Sequence, residues 1–551
     1  MSTSTKKNLF FKIFLIFTFV VTLLLIVRIV FIIFSGKDIK EYKNPDISQV
    51  LIRGTIYDRN KNILAIDRTY KSLIAHPNKM NDKTSISNLI SPYLNISKTS
   101  LETIFEQDKA YVVLQRKLED SKVDQIKAVI KDNELQNQLE VMDFNFRSYP
   151  QNFHAAQLIG FTDIDKKGIE GVEYQYDDLL TASPIEDSLF SYGSDVYLTL
   201  DMDFQYLLDT QIQTMCNSNL PEYAVGIIMD AKTGEILASS SWPWFNINNF
   251  NTSTDSQRMN NTFKSSYEPG SVFKIFSLAA ILDIGEAKVD EVFHCDGEYT
   301  FYPNDKTEIT INCHESHNDI NGPSDMIKYS CNGAVSSWAL QTDDNQFYNY
   351  LKAMNFGSSL PIEESNNSGY LSSPSHWSLR SKPTISFGQE ISSTALQLTT
   401  AATIFTNEGN LLKPSLIYKI VDSENNETFS NKKEILRNVI KEETTKKVVE
   451  AMVSATEPGG TAVQLNIEGL KIAAKTGTSQ ILDPQKSGVV ASTIAIVDAD
   501  NPKYIIYIAC YNPQGGEIWG ANIASPAIRK VVEGLISIGK ITGSQSKEIQ
   551  I

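Results

Sequence analysis

Ser271-Val272-Phe273-Lys274 sets a hydroxyl and an amine three residues apart, after Pro269-Gly270 and at the head of an apolar run, Ile275 to Ile284, of helical length. Residues i and i+3 of a helix share a face, so Lys274 can reach the Ser271 oxygen and take its proton, which makes a nucleophile. The tetrapeptide Ser-x-x-Lys means little alone, since it recurs at Ser4/Lys7, Ser430/Lys433, Ser537/Lys540 and Ser544/Lys547. What singles out Ser271 is its setting and the two motifs that follow in order, Ser330-Cys331-Asn332 and Lys475-Thr476-Gly477-Thr478. A second Lys-Thr-Gly, at Lys232 to Gly234, lies between two strand-like runs and reads as a hairpin turn. Lys475 instead follows Gly469-Leu-Lys-Ile-Ala-Ala474 and precedes a strand-like run from Thr493 to Cys510, so an edge strand beside the serine helix is expected.

These three motifs resemble those of the penicillin-binding transpeptidases, in which they converge on one cleft. The resemblance runs from about residue 50 to 535. Arg53-Gly-Thr-Ile-Tyr-Asp-Arg59 looks like the opening signature of the monofunctional (class B) branch, as do Arg147-Ser-Tyr-Pro150, Gly160-Phe-Thr-Asp163 and Gly168-Ile-Glu-Gly-Val-Glu173. Leu198-Thr-Leu-Asp201, Tyr267-Glu-Pro-Gly270, Ser386-Phe-Gly-Gln389 with Thr394 and Gln397, and Pro458-Gly-Gly-Thr461 continue the pattern. The chain departs from it at Lys61, Glu390 and Ala474, each where the family commonly has Gly, and at Thr493-Ile-Ala495, where a Phe-x-Gly element is expected. Glu390 is the departure expected to change the charge and width of the cleft.

The resemblance implies an α/β (α+β) catalytic domain of the penicillin-binding and β-lactamase type, an antiparallel sheet flanked by helices with a helical subdomain, over residues 195–540. A mixed α/β pedestal, or dimerisation domain, would occupy 35–194, and 541–551 would be a C-terminal tail. Ser271 would be the nucleophile and Lys274 its base. For that role the lysine must fall about 3 pH units from about 10.4. Lys475 is the natural cation to depress it, with Asn332 and the Ser330 hydroxyl completing a relay and Ser330 passing the proton to the leaving amine. The backbone N–H groups of Ser271 and Thr478 would hold the oxyanion. Thr476 and Thr478 would bind a terminal carboxylate, Gly477 would admit the substrate backbone and Asn332 would hold its amide.

The implied reaction is penicillin-sensitive D,D-transpeptidation. Ser271 attacks a D-Ala-D-Ala bond of a peptidoglycan stem peptide, and an amine acceptor resolves the acyl-enzyme into a cross-link. The segment 160–180 and Ser386-Phe-Gly resemble the cell-division type, so a membrane glycan polymerase and divisome proteins are expected partners and β-lactam antibiotics expected ligands. An elongation-type enzyme and a non-enzymatic β-lactam sensor or scaffold are the alternatives. A β-lactamase would not need the long N-terminal portion, and a bifunctional polymerase would need an acidic motif before Arg53 that is not found.

Composition fits a soluble acidic surface. The 551 residues carry a net charge of −15, which argues against nucleic acid, since phosphate binding needs clustered Lys and Arg. Ile13 to Phe34 is apolar except for Arg28, long enough to span a bilayer, and no small-x-small cleavage site follows. A single uncleaved anchor is therefore expected at 13–34, after a cytoplasmic tail at 1–12. Lys6, Lys7 and Lys12 are matched by Lys37, Lys40 and Lys43 on the other side, so the orientation, with a cytoplasmic N-terminus and the catalytic bulk outside the inner membrane, is what the resemblance implies. No cofactor is required. Cys295, Cys313, His317 and Cys331, however, form a series between the nucleophile and the end of the second motif, and spacing alone leaves a disulfide, a structural zinc site and reduced cysteines open.

Overall fold

The computed structural model describes residues 18–25, 49–185, 188–304, 306–362, 367–481 and 487–541. The described residues divide between two units, 18–25, 49–50 and 188–189 in one and the remainder in the other. In the first, 18–25 are helical, and the rest of the expected anchor at 13–34 lies outside the described residues. Among the described residues no helix is long and apolar enough to cross a membrane.

In the large unit the catalytic portion is organised by five antiparallel strands: β1 (Tyr223–Asp230), β2 (Ile236–Trp242), β3 (Ile472–Gln480), β4 (Val489–Val497) and β5 (Tyr504–Tyr511). Their order is β3-β4-β5-β1-β2, so the strand carrying Lys475 is an edge. The Lys232 copy of Lys-Thr-Gly forms the β1–β2 turn, with Gly234 at φ 78°. Side chains alternate across a sheet, and the contacts assign the two faces. Gly226 meets Leu208 and Ile212 of helix α1 (Met202–Asn219), and Thr493 Oγ1 lies 3.0 Å from Ser525 Oγ of helix α3 (Gly520–Ser537). The opposite face takes the helix Ala395–Ala401 and, on β3, the turn Gly270–Phe273, while helix α2 (Lys274–Ile284), in which nine of eleven residues are buried, packs among the surrounding helices. A helix apolar all round belongs inside a large core, and α2 stops at Gly285, left-handed at φ 78°.

The pedestal is built on a second sheet, in which Ile63–Ala75 pairs with Val112–Gln115 and Leu139–Ser148. This sheet continues through Ile56–Tyr57 and Asp195–Leu198 into Ile417–Val421 and Glu427–Ser430, strands drawn from within the catalytic portion. The two portions are thus joined by strand pairing as well as by chain connection. The helix Asp120–Asp132 stops there, because Glu134 turns left-handed at φ 56° and Leu139 pairs with Ala75 as strand. Ile391–Thr394 is a strand, and Thr394 with Gln397 caps the helix Ala395–Ala401 reciprocally.

Candidate active site

Ser271 lies in a tight 3-10 turn, Gly270–Phe273, leading into α2. Two walls hold that turn. Gly270 N–H donates to the Gly388 carbonyl at 3.0 Å, and a Cβ at Gly388 would lie 2.1 Å from Gly270 O, so only glycine permits this approach. On the other side the Ser479 hydroxyl donates to the Glu268 carbonyl at 2.6 Å. Gly477 serves the same packing: a Cβ there would come within 2.8 Å of Val272 Cγ2 and 3.1 Å of Pro269 O. Its smallness therefore docks the serine turn onto β3.

Ser330 separates two helices, Pro323–Tyr329 and Asn332–Leu340, at φ 61°, a left-handed conformation uncommon for a residue with a Cβ. This directs its hydroxyl between two lysines. Lys274 Nζ lies 3.1 Å from Ser271 Oγ and 3.0 Å from Ser330 Oγ, and also reaches the Ser330 carbonyl. Lys475 Nζ lies 2.9 Å from the same Ser330 Oγ and donates to the Thr476 carbonyl at 2.9 Å. Both lysines are fully buried, and neither forms an ion pair among the described residues. Burial pushes Lys274 down to about 8, against a partial upward pull from Cys331, Cys313 and Cys295. Burial and then the Lys274 charge hold Lys475 well below the ordinary lysine range. Two amines joined through one hydroxyl titrate as a pair. Both are displaced toward the neutral form, and the one within reach of Ser271 is Lys274.

Strand alternation puts Lys475 and Gly477 on the face of the serine turn and Thr476 and Thr478 on the other. Thr478 Oγ1 accepts from Gly520 N–H at 3.2 Å, tying β3 to the start of α3. All three of Thr476, Gly477 and Thr478 line a cavity of about 330 Å³ with Ser271, Ser330 and Asn332. Asn332 departs from the expected relay around Lys274: its side-chain amide donates to the Asn312 carbonyl at 2.8 Å and so faces the neighbouring β-ribbon. The cavity also has walls that motif spacing did not single out, His314 and Trp519, whose rings lie 5.5 Å apart, and Asn522. An aromatic residue before a helix start is the only local signal for Trp519.

Cys295, Cys313, His317 and Cys331 meet beside this cavity, with their ligand atoms within 4.8 Å of one another. Sγ separations are 3.6 Å for Cys295–Cys313 and 3.8 Å for Cys313–Cys331, and His317 Nδ1 is 3.4 Å from Cys295 Sγ. A disulfide needs about 2.05 Å, and all five cysteines are free thiols here. Four ligands around zinc at about 2.3 Å would have edges of about 3.8 Å. The donor set and its dimensions therefore fit that metal. The cluster adjoins the catalytic groups through Cys331, which sits between Ser330 and Asn332.

The chain matches the penicillin binding protein transpeptidase domain family over residues 224–533 and the penicillin-binding protein dimerisation domain over 49–187. Among curated proteins it is 28% identical to the probable peptidoglycan D,D-transpeptidase PenA of Neisseria gonorrhoeae, covering 88% of this chain and 84% of that one. It is 26% identical to the peptidoglycan D,D-transpeptidase FtsI of Escherichia coli, with 88% and 83% covered. Among solved structures, penicillin binding protein 2X of Streptococcus thermophilus superposes with a TM-score of 0.69 at 22% identity, over 91% of this chain and 82% of that one. A peptidoglycan synthetase of Bifidobacterium adolescentis gives 0.68 at 22% identity, over 90% and 97%. With more than half its length matched, and with the serine, the two lysines and the edge strand in one cleft, the chain belongs to the penicillin-binding protein transpeptidase family, in its class B arrangement of dimerisation domain followed by transpeptidase domain.

Proposed function

We propose that the protein is a serine D,D-transpeptidase that cross-links peptidoglycan stem peptides and is acylated by β-lactams. The observation that carries this reading is the Ser271–Lys274–Ser330–Lys475 array, with the nucleophile 3.1 Å from a buried amine whose proton affinity is lowered. Neutral Lys274 takes the Ser271 proton as Oγ attacks the donor carbonyl. Backbone N–H groups of Ser271 and Thr478 receive the oxyanion. Collapse breaks the bond to the terminal D-alanine, whose amine leaves with a proton passed from Lys274 through the Ser330 hydroxyl. An acceptor amine then attacks the Ser271 ester, forming the amide and returning the proton to the serine. Lys475 with the Thr476 and Thr478 hydroxyls binds the donor's terminal carboxylate, and Asn332 orients its amide. Incubating the purified chain with a D-Ala-D-Ala peptide and an amine acceptor should release one D-alanine per amide formed. Neither product forming would overturn the reading.

A septal role is favoured by the relatives named FtsI and by the division-type motifs. In that role the chain is a single-pass protein of the cytoplasmic membrane, its pedestal meeting a membrane glycan polymerase and divisome proteins. Depletion should then give filaments with blocked constriction; round cells would indicate elongation instead. The thiol and imidazole cluster is assigned to structural zinc, held by Cys295, Cys313, His317 and Cys331, which would brace the loop presenting Ser330 and Asn332. Elemental analysis of protein purified without chelator should find about one zinc per chain. Two missing thiols, or five free thiols without metal, would exclude it.

A further inference from the structure

The thiol and imidazole cluster grips the backbone on both sides of Ser330. Tyr329 lays its ring against His317, with centroids 6.4 Å apart and planes 20° from parallel. Cys331 belongs to the cluster itself, and Asn332 donates to the carbonyl of Asn312, the residue before Cys313. Ser330 is left-handed at φ 61°, a backbone state that persists only where its surroundings over-determine it. Here the surroundings are the segment 312–317. That segment also carries His314, whose ring faces Trp519 on the wall of the catalytic cavity.

The three sulfurs are not equivalent. Gly333 N–H donates to Cys313 Sγ at 3.4 Å and Ala334 N–H to Cys331 Sγ at 3.4 Å. These two sulfurs therefore sit side by side over the first turn of the helix Asn332–Leu340, 3.8 Å apart. Cys295 Sγ, 3.6 Å from Cys313 Sγ, accepts no backbone N–H among the described residues and is held instead by His317 Nδ1 at 3.4 Å. Cys295 and Cys331 are buried, whereas Cys313 is half-buried and is the thiol that a small solute meets first. The other two cysteines, Cys216 and Cys510, are buried outside the cluster.

We infer that Cys313 and Cys331 form a reversible oxidation site that turns the active site off, with hydrogen peroxide as the oxidant. The switch rests on the zinc reading given above, in which the ion holds these thiolates apart until oxidation expels it. The Cys313 thiolate attacks one peroxide oxygen and breaks the O–O bond, leaving a sulfenic acid and hydroxide. The Cys331 thiolate then displaces the sulfenic oxygen as a second hydroxide and closes the S–S bond. The two sulfurs together lose two electrons, the peroxide gains them, both hydroxides take protons from solvent, and the metal ion leaves. Closure must bring sulfurs 3.8 Å apart to about 2.05 Å. Because Cys331 adjoins Ser330, this draws the Ser330 hydroxyl away from its place between Lys274 and Lys475. A dithiol reductant and fresh zinc restore the array.

The test treats the full chain in detergent micelles, purified with zinc, with hydrogen peroxide and then removes the oxidant with catalase. Zinc released to a chromogenic chelator, the disulfide found by peptide mapping and the rate of acylation by a fluorescent penicillin are followed together. Oxidation should release the zinc, join Cys313 to Cys331 and slow acylation about 10²-fold, the loss expected when a catalytic group moves by about 1 Å. Dithiothreitol with added zinc should restore the rate. The double variant Cys216→Ala, Cys510→Ala should respond as the wild type does. Zinc release with a disulfide mapped to Cys295 and Cys313, the Cys313–Cys331 bond with an unaltered rate, or a loss that reductant does not reverse would each overturn the switch while leaving the zinc reading intact. Untreated protein that holds no zinc would overturn both.

Discussion

Two groups of buried cations sit in this chain, and they are built on opposite terms. In the pedestal, Glu173 accepts from Arg53 Nε at 2.7 Å and from Arg147 Nε at 2.6 Å, while Asp177 accepts from Arg53 Nη1 and Asp67 from Arg147 Nη1. Burial alone would lower Arg147, but Glu173, Tyr149 and Asp67 outweigh it and hold it above the ordinary value. In the cleft, Lys274 and Lys475 are as deeply buried and have a serine hydroxyl between them instead of a carboxylate. Compensation fixes charge and geometry together, which suits a joint between segments 120 residues apart in sequence. Withholding compensation makes an amine give up its proton, which suits a base.

Replacing one partner in each group should therefore have different consequences. Lys274→Met should slow penicillin acylation by about 10²–10⁴-fold, the usual worth of a positioned base. It should also leave the unfolding midpoint unchanged or higher, because an uncompensated buried amine is replaced by an apolar chain. Acylation within tenfold of wild type would erase the contrast. Glu173→Gln should do the reverse, costing about 3–5 kcal/mol because two guanidinium groups lose their shared anion, while the folded fraction still labels at the wild-type rate. Denaturant unfolding alongside labelling checks both halves.

A smaller effect should follow pH. Acylation should rise with pH as Lys274 deprotonates and level off above about 8. Stability follows the same group. Its folded value, about 8, lies below the ordinary 10.5, so between those values the unfolded chain binds more protons and stability rises with pH. The difference between wild type and Lys274→Met isolates that contribution, and a flat difference from 8 to 10.5 would contradict it. The smallest effect is expected at the decoy motif: Lys433 bonds Asn407 Oδ1 at 2.8 Å, far from the cleft in role, so Lys433→Ala should leave acylation unaltered.

Much of the cleft was legible in the sequence because its groups are carried by local devices. A helix start, a turn between two helices and an edge strand each announce themselves within a few residues, and the three motifs needed only to converge. What escaped is set by distant pairing. Nothing local marks Ile417–Val421 as a strand of the pedestal's sheet, since its partner Asp195–Leu198 is more than two hundred residues away. The orientation of Asn332 depends on Asn312 across a β-ribbon. Likewise the Glu268–Glu390 contact joins two turns that only the fold brings together. Gly477 shows a third kind: it lines the cavity as its type suggested, and only the fold reveals that a Cβ there would also meet Val272 and Pro269.

One oxygen, Ser271 Oγ, must carry the acyl group, and peptide mapping after stoichiometric labelling with a penicillin tests this directly. The adduct should fall on the peptide containing Ser271 and be absent from a folded Ser271→Ala variant. A covalent adduct retained by that variant, or mapped to another serine, would contradict the assignment of the nucleophile.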